Sequence, residues 1–401
     1  MQLPNDSDHS GRNFGQEELE ILKRVIESGT LNCTKGTVVK EFEKRFANKY
    51  GIEFCRTTTS GTAAIHTAVA GINPEPGDEI ITTPITDMGA LTPIIYQTGI
   101  PIFADVDPLT YNITSETISR KISKRTKAIM VTHLFGNPCN MDPIMDLARE
   151  HNLPVIEDAC QSYSAEYKGK LVGVIGDIGC FSLQQGKHMT TGEGGIVIGK
   201  NGNYTRRMWL FVDKAWGYGD PKPDHYFLAP NYRMTELQGA VALAQLDKVD
   251  GVVRSRIKTA EMLTDLIKDV PGVSSPKITP NSKHVYWRYA LRIDAEIIQG
   301  GVDQFSARLK EKGIFSAPRY IQKPAFQCQI FQERITFGNS HFPFEGGHRK
   351  GDPVVYDPKD FPGTFDALSH VVVLPWNEFY TGEHVNYIAD NIKEVAKSLK
   401  R

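Results

Sequence analysis

Lys187 stands in the run Ser182-Leu-Gln-Gln-Gly-Lys187-His-Met-Thr-Thr-Gly192-Glu-Gly-Gly195, between one strand-like stretch, Ile178 to Leu183, and another, Ile196 to Gly199. An amine held in apolar surroundings sheds its proton rather than bear the cost of desolvation. A neutral amine is what Schiff-base formation with an aldehyde requires. The same residue would also suit an exposed position in a glycine hairpin, where most lysines sit. Its neighbours in the sequence have to decide.

Three other stretches fall where an apolar strand ends. Ser60-Gly61-Thr62 precedes a helical run through Ile65 and His66. Amides at such a helix start, with hydroxyls beside them, cradle a phosphate, although Ser-Gly-Thr also serves as a plain N-cap. Asp158 closes Val155-Ile156-Glu157 and could meet a cationic ring nitrogen, or cap a turn. Asn231-Tyr232-Arg233-Met234-Thr235 opens a long helix and could reach an anion, or hold the helix start. Each is ambiguous alone. In this order, with Ser182 five residues before Lys187, they match what pyridoxal phosphate demands: a phosphate anchor, a carboxylate for the pyridinium and a lysine for the aldehyde.

The elements that must position these residues follow from periodicity. Gln16 to Ser28 and Thr37 to Tyr50 carry helical apolar patterns. Short apolar runs then alternate with helical ones: Ile52 to Arg56, Glu79 to Thr83, Pro101 to Asp105, Ala128 to His133, Pro154 to Glu157 and Asp177 to Leu183, with Asp142 to His151 among the helices. That alternation predicts an α/β fold with a mostly parallel sheet covered on both faces, and ligands at the carboxyl ends of its strands. Met234 to Val270 reads as two helices leading to a smaller α+β domain. That domain is expected to hold an alternating strand (His284 to Ile293), a helix (Val302 to Lys312) and a closing helix (Glu383 to Leu399). The division expected is 1–250 for the large domain with its N-terminal helices and 251–401 for the small one. A Gly-, Pro-, Phe- and His-rich loop spans about 329–368 and is a candidate lid.

Composition narrows the function class. A net charge of −1 gives no electrostatic case for nucleic acid or an anionic membrane. Six scattered cysteines without a C-x-x-C pair read as reduced thiols, neither a disulfide framework nor a metal site. No apolar run approaches the roughly 20 residues of a membrane span. The polar amino terminus lacks the apolar core of a signal peptide, so a cytoplasmic location is expected.

The chain resembles the DegT/DnrJ/EryC1/StrS sugar aminotransferases, fold-type I (aspartate aminotransferase-like) enzymes dependent on pyridoxal phosphate. The most specific matches are Glu157-Asp158-Ala159-Cys160-Gln161, Gln184-Gln185-Gly186-Lys187 with Thr190-Thr191-Gly192-Glu193-Gly194-Gly195, and Asn231-Tyr232-Arg233-Met234. The resemblance implies that Lys187 binds the cofactor as a Schiff base and shuttles the proton. By it, Asp158 pairs with the pyridine nitrogen, Gln161 lies near the ring hydroxyl, and Ser60, Gly61, Thr62 and Ser182 hold the phosphate. Asn231 reaches the phosphate of the neighbouring subunit, which makes the enzyme a homodimer with shared active sites. Where the family places an aromatic residue that stacks on the ring, Met88 stands here, and Asp87 beside it is unexpected near an anionic cofactor.

The implied reaction is a ping-pong transamination through pyridoxamine phosphate. Glutamate or glutamine gives the amino group, and the ketone of a nucleotide-linked sugar, a free sugar or a cyclitol receives it. Asn32, His284, Arg319 and Tyr320 are candidates for the acceptor side, together with Tyr286, Trp287 and Arg288, although these aromatics also suit simple packing. Two other readings compete. One is a pyridoxamine-dependent sugar dehydratase, in which a histidine replaces the lysine. The other is a non-catalytic regulatory protein that binds the cofactor.

Overall fold

The computed structural model describes residues 1–200, 202–349 and 351–401. Nine strands precede the long central helix: β1 (Phe54–Thr58), β2 (Glu79–Thr82), β3 (Ile100–Phe103), β4 (Thr126–Thr132), β5 (Val155–Asp158), β6 (Glu166–Tyr167), β7 (Lys170–Leu171), β8 (Ile178–Ser182) and β9 (Gly195–Gly199). Five follow it: β10 (Val273–Ser274), β11 (Ser282–Lys283), β12 (Arg288–Ile293), β13 (Ala317–Pro318) and β14 (Val371–Pro375). The main sheet has the order β1-β9-β8-β5-β4-β2-β3. Its strands β3, β2, β4, β5 and β8 run parallel, and β9 runs against both β8 and β1. Every residue of β2, β5, β8 and β9 is buried, as expected for strands covered by helices on both faces. The fold is the α/β architecture read from the sequence, with a mixed, mostly parallel sheet.

A second, antiparallel sheet, β10-β12-β14-β13, packs against the helices Gly301–Glu311 and Gly382–Ser398 around Tyr289, Leu291, Phe305 and Trp376. One continuous helix of 32 residues, Glu236–Ile267, replaces the two helices expected there. Gly239 and Gly251 lie within it without breaking it, because its length is clamped by helices Gln16–Ser28, Val38–Tyr50 and Gly382–Ser398. Tertiary burial overrides a cost of about 1 kcal/mol per glycine.

Two further expectations change. The strand predicted from His284 begins only at Arg288, because Tyr286 takes a left-handed conformation (φ 46°). Val285 and Trp287 instead donate their amides to Gly136 and Phe135. The segment 329–368 is not a single loop, since Pro362–His370 is helical. Much of the rest folds onto β3, the edge strand. Phe326, Phe331, Phe344 and Phe361 form a cluster with Phe103, and the Tyr356 hydroxyl donates to the Pro101 carbonyl at 2.7 Å. The buried Arg349 guanidinium pairs with Glu79 at 2.8 Å and anchors this cover to β2.

Candidate active site

The carboxyl ends of β2, β5 and β8 converge with the start of helix Gly61–Ile72 on a cleft of about 420 Å³. Ser60, Gly61, Thr62, Asp158, Gln161, Ser182, Lys187 and Tyr320 all line it. The sequence places them as far as 260 positions apart; the parallel sheet brings them together.

At the helix start, the Ser60 side chain caps the amide of Ala63 at 3.0 Å. The amides of Gly61 and Thr62 find no acceptor among the described residues. Gly61 has to be glycine, since a Cβ there would lie 2.6 Å from the Cβ of Ser182. The close approach puts the Ser182 hydroxyl beside two free amides at a helix N-terminus, a seat for a phosphate. Asp158 is 4% exposed. It accepts from the Thr132 hydroxyl (3.3 Å) and the Cys160 amide (3.1 Å), and no cation pairs with it among the described residues. A buried carboxylate without a counter-charge suits a cationic ligand group.

Glu157, fully buried, holds this strand end in place. Its two oxygens accept from His133 Nε2 (2.9 Å) and the amides of Gly173 (2.8 Å), Ile175 (2.7 Å) and Gly176 (2.5 Å). His133 in turn accepts from the Cys139 amide through Nδ1, which fixes its tautomer. Gln161 is fixed on both sides: its Oε1 accepts from the Phe135 amide at 2.7 Å, and its Nε2 donates to the Tyr320 hydroxyl at 3.3 Å.

Lys187 is half-buried, with Nζ 4.0 Å from the centroid of the Trp287 ring. Burial pushes its pKa down; Cys160, Asp158 and Asp87 oppose this, and Arg288 adds to it. The net shift is toward the neutral amine. Its turn is pinned from outside: Trp287 Nε1 donates to the Gly186 carbonyl at 2.8 Å, and Arg12 donates to the Lys187 carbonyl at 2.9 Å. Phe135, Tyr286 and Tyr320 all have φ between 46° and 60°, a conformation that bulky residues avoid. Tyr320 lines the cleft, Phe135 holds Gln161 there through its amide, and Tyr286 precedes the lining residue Trp287; such strain is concentrated in functional sites.

The other predicted residues lie elsewhere. Met88 packs with Leu91, Phe103 and Phe326, and it is Thr86, Asp87 and Gly89 that face the cleft. Asn231 is exposed, its backbone bridged to Asp213. Asn32 is exposed and bridged to Thr235. His284 is buried against Tyr286, with ring centroids 4.0 Å apart, and Arg319 turns away to Asp303. Among the described residues, no lining residue of the cleft comes from 329–368. Sequence reasoning missed Arg12 and Asp6, which carry no motif. It singled out Trp287 but could not say whether the ring packs or faces the site; at 7% exposure it does both.

A model of the DegT/DnrJ/EryC1/StrS aminotransferase family matches residues 12–345. The chain belongs to that family. This aminotransferase is 35% identical over 319 residues to the GDP-perosamine synthase of Caulobacter vibrioides, covering 79% of this chain and 84% of that one. A relative from Micromonospora echinospora, named for L-glutamine:3-amino-2,3-dideoxy-scyllo-inosose amino transfer, is 34% identical over 294 residues, 71% of this chain and 69% of that one. Among solved structures, an aminotransferase from Psychrobacter cryohalolentis superposes with a TM-score of 0.84 at 27% identity, covering 97% and 98% of the two chains. Among the described residues, no helix of the aminotransferase is long and apolar enough to cross a membrane.

Proposed function

We propose that this aminotransferase uses pyridoxal phosphate to move an amino group from glutamate or glutamine to a ketone on a sugar or cyclitol. The observation that carries the reading is the convergence of free helix-start amides, an unpaired buried carboxylate and a desolvated lysine in one cleft. Gly61, Thr62, Ser60 and Ser182 would hold the cofactor's phosphate, Asp158 its ring nitrogen, Gln161 its ring hydroxyl and Lys187 its aldehyde. When bound, the cofactor supplies a carbonyl that carries the amino group and a ring that draws electrons from the reacting carbon.

The chain's own part is positional and acid–base. Lys187 Nζ, whose pKa burial pushes down toward the neutral amine, would take the proton from the donor's Cα and pass it to the carbon that held the aldehyde, and would run the same transfer backwards on the acceptor. Asp158, fixed by Thr132 and the Cys160 amide, would hold the ring nitrogen. Tyr320 and Trp287 line the cleft and reduce its exposure to water. His188 is poorly suited to replace the lysine as in the dehydratases. It is fully buried, its Nε2 donates to the Val285 carbonyl at 2.9 Å, and burial pushes its pKa far down.

The relatives' names support an acceptor that is a sugar or cyclitol ketone in amino-sugar formation. We further propose a homodimer in which the exposed Asn231 reaches the partner's cofactor phosphate, and a division into domains at 1–250 and 251–401. The six free cysteines accord with a cytoplasmic location. The experiment is an absorbance titration of the protein with pyridoxal phosphate, followed by L-glutamate or L-glutamine. A visible band that bleaches with one donor, and is absent in Lys187→Ala, is expected. A protein that takes up no cofactor would overturn the reading.

A further inference from the structure

The segment before the first long helix is built to a purpose that the reaction itself does not explain. It turns back at Gly11, where a Cβ would come within 2.4 Å of the Asn5 carbonyl and 2.6 Å of Asn377 Nδ2, so only glycine fits. The turn buries Arg12, at 6% exposure, and drives the Asp6 carboxylate among three arginines. Asp6 lies 2.6 Å from Arg12, 3.0 Å from Arg288 and 3.5 Å from the fully buried Arg256, and it accepts from Asn377 at 2.6 Å. Burial alone would raise the Asp6 carboxyl, but Arg256, Arg12 and Arg288 outweigh it and hold it below the ordinary range.

These contacts lead directly to the Lys187 turn. The Asp6 carbonyl accepts from Gln185 Nε2 (2.9 Å) and Arg12 Nε (3.0 Å), and Arg12 donates a further hydrogen bond to the Lys187 carbonyl. Arg288, held by Asp6, lies 4.4 Å over the Trp287 ring on which Lys187 Nζ also rests. Trp287 holds the Gly186 carbonyl. Gln185, Gly186 and Lys187 are thus all tied, directly or through Trp287, to the first twelve residues.

We propose that this N-terminal hook is a positioning device for Lys187. Arg12 fixes the lysine's backbone, and Asp6 fixes and neutralises the Arg288–Trp287 stack beside its amine. The proposal rests on Lys187 being the reactive amine, as proposed above. The groups facing that amine are Asp158 at the end of β5, Cys160 just after it, Asp87 beyond β2 and Arg288 on β12, with Glu193 and Tyr320 lining the same cleft. Asp6 acts on Lys187 only through Arg288.

Two variants test it. Asp6→Asn leaves Arg288 uncompensated, which adds positive potential at Lys187 and lowers the pH at which its amine becomes reactive. Arg12→Lys keeps the charge but cannot bond the Asp6 and Lys187 carbonyls with one fork. The first readout needs no cofactor: reductive methylation of Lys187 by formaldehyde and cyanoborohydride across pH, followed on its own peptide by mass spectrometry. In Asp6→Asn the midpoint should fall by roughly half a unit to one unit. In Arg12→Lys the midpoint should stay. There, the single-turnover rate with whichever donor the wild type accepts should fall roughly 10- to 100-fold, with the donor's half-saturation unchanged.

If both variants lower thermal stability while the midpoint and the rate hold, the hook is only structural and the proposal fails. Should Asp6→Asn not fold, an unchanged rate in Arg12→Lys is enough to overturn it. A wild type that binds no pyridoxal phosphate, together with a midpoint shift in Asp6→Asn, would sink the proposed function and leave the hook standing.

Discussion

The Glu157→Gln substitution offers the sharpest test of how the site is held. Its two oxygens receive four N–H donors, two each: Ile175 and Gly176 on Oε1, His133 and Gly173 on Oε2. An amide keeps only one of those oxygens. Whichever way it is turned, two donors face an NH₂ group in a fully buried place. A stranded buried donor costs about 1–3 kcal/mol, so the substitution should cost roughly 2–6 kcal/mol locally. Hydrogen exchange suits a chain with several separate sheets better than a single global unfolding curve. The amides of Gly173, Ile175 and Gly176 should exchange at least roughly 30-fold faster, the equivalent of about 2 kcal/mol. Asp158 is the next residue, so pyridoxal phosphate should also bind more weakly. Exchange within threefold of wild type would refute the reasoning, because it would mean that the loop finds other acceptors without effort.

Other outcomes follow from single contacts. Gly61→Ala drives a Cβ into Ser182 and forces the helix start and β8 apart, so the thermal midpoint should fall and equilibrium dialysis should show pyridoxal phosphate bound roughly tenfold more weakly; unchanged affinity would remove the helix start as the phosphate seat. Arg349→Met leaves Glu79 buried without its partner and should destabilise by roughly 3–5 kcal/mol, with Glu79→Gln in the same chain restoring part of the loss in urea unfolding. Burial lowers His66 to about 4 and His284 to about 3, so the unfolded chain takes up protons below 6.5 that the fold refuses. Stability should therefore be whole above pH 6.5. As pH falls toward 4 it should decline by up to about 1.4 kcal/mol per unit for each histidine, a slope that His66→Gln with His284→Phe should flatten in denaturation measured at pH 7 and 5.

The main sheet was legible because its strands are short apolar runs fully buried on both faces, separated by helical periods, and the observed strand ends fall within a few residues of those read from the sequence. Ser60, Gly61, Thr62, Asp158, Gln161, Ser182 and Lys187 were legible for a related reason. Each ends or follows a strand or opens a helix, and parallel strands deliver such residues to one edge. The small sheet was read less well. Tyr286 breaks the expected strand through a left-handed turn that no local pattern announces, and its cause is the docking of Val285 and Trp287 on the Phe135–Gly136 corner, some 150 positions earlier. Met88 and Asp87 were separated by one position, and only the backbone turn at Met88–Ala90 decides which faces the cleft. Asp6 and Arg12 were invisible because their partners, Arg256 and Arg288 for Asp6 and the Lys187 carbonyl for Arg12, lie far along the chain.

The cover over β3 also sets an order of assembly. The hydrogen bond from Tyr356 to Pro101 spans 255 positions, and the aromatic cluster that seals Phe103 draws most of its members from Phe326 onward. A chain emerging from the ribosome therefore completes its parallel sheet long before the cap for its outer strand exists. Until then Ile100–Phe103 presents an unpaired, apolar margin open to any passing strand. Truncation or destabilisation of the late segment should thus first show itself as lost yield of soluble protein, well before the chemistry of the distant cleft is affected.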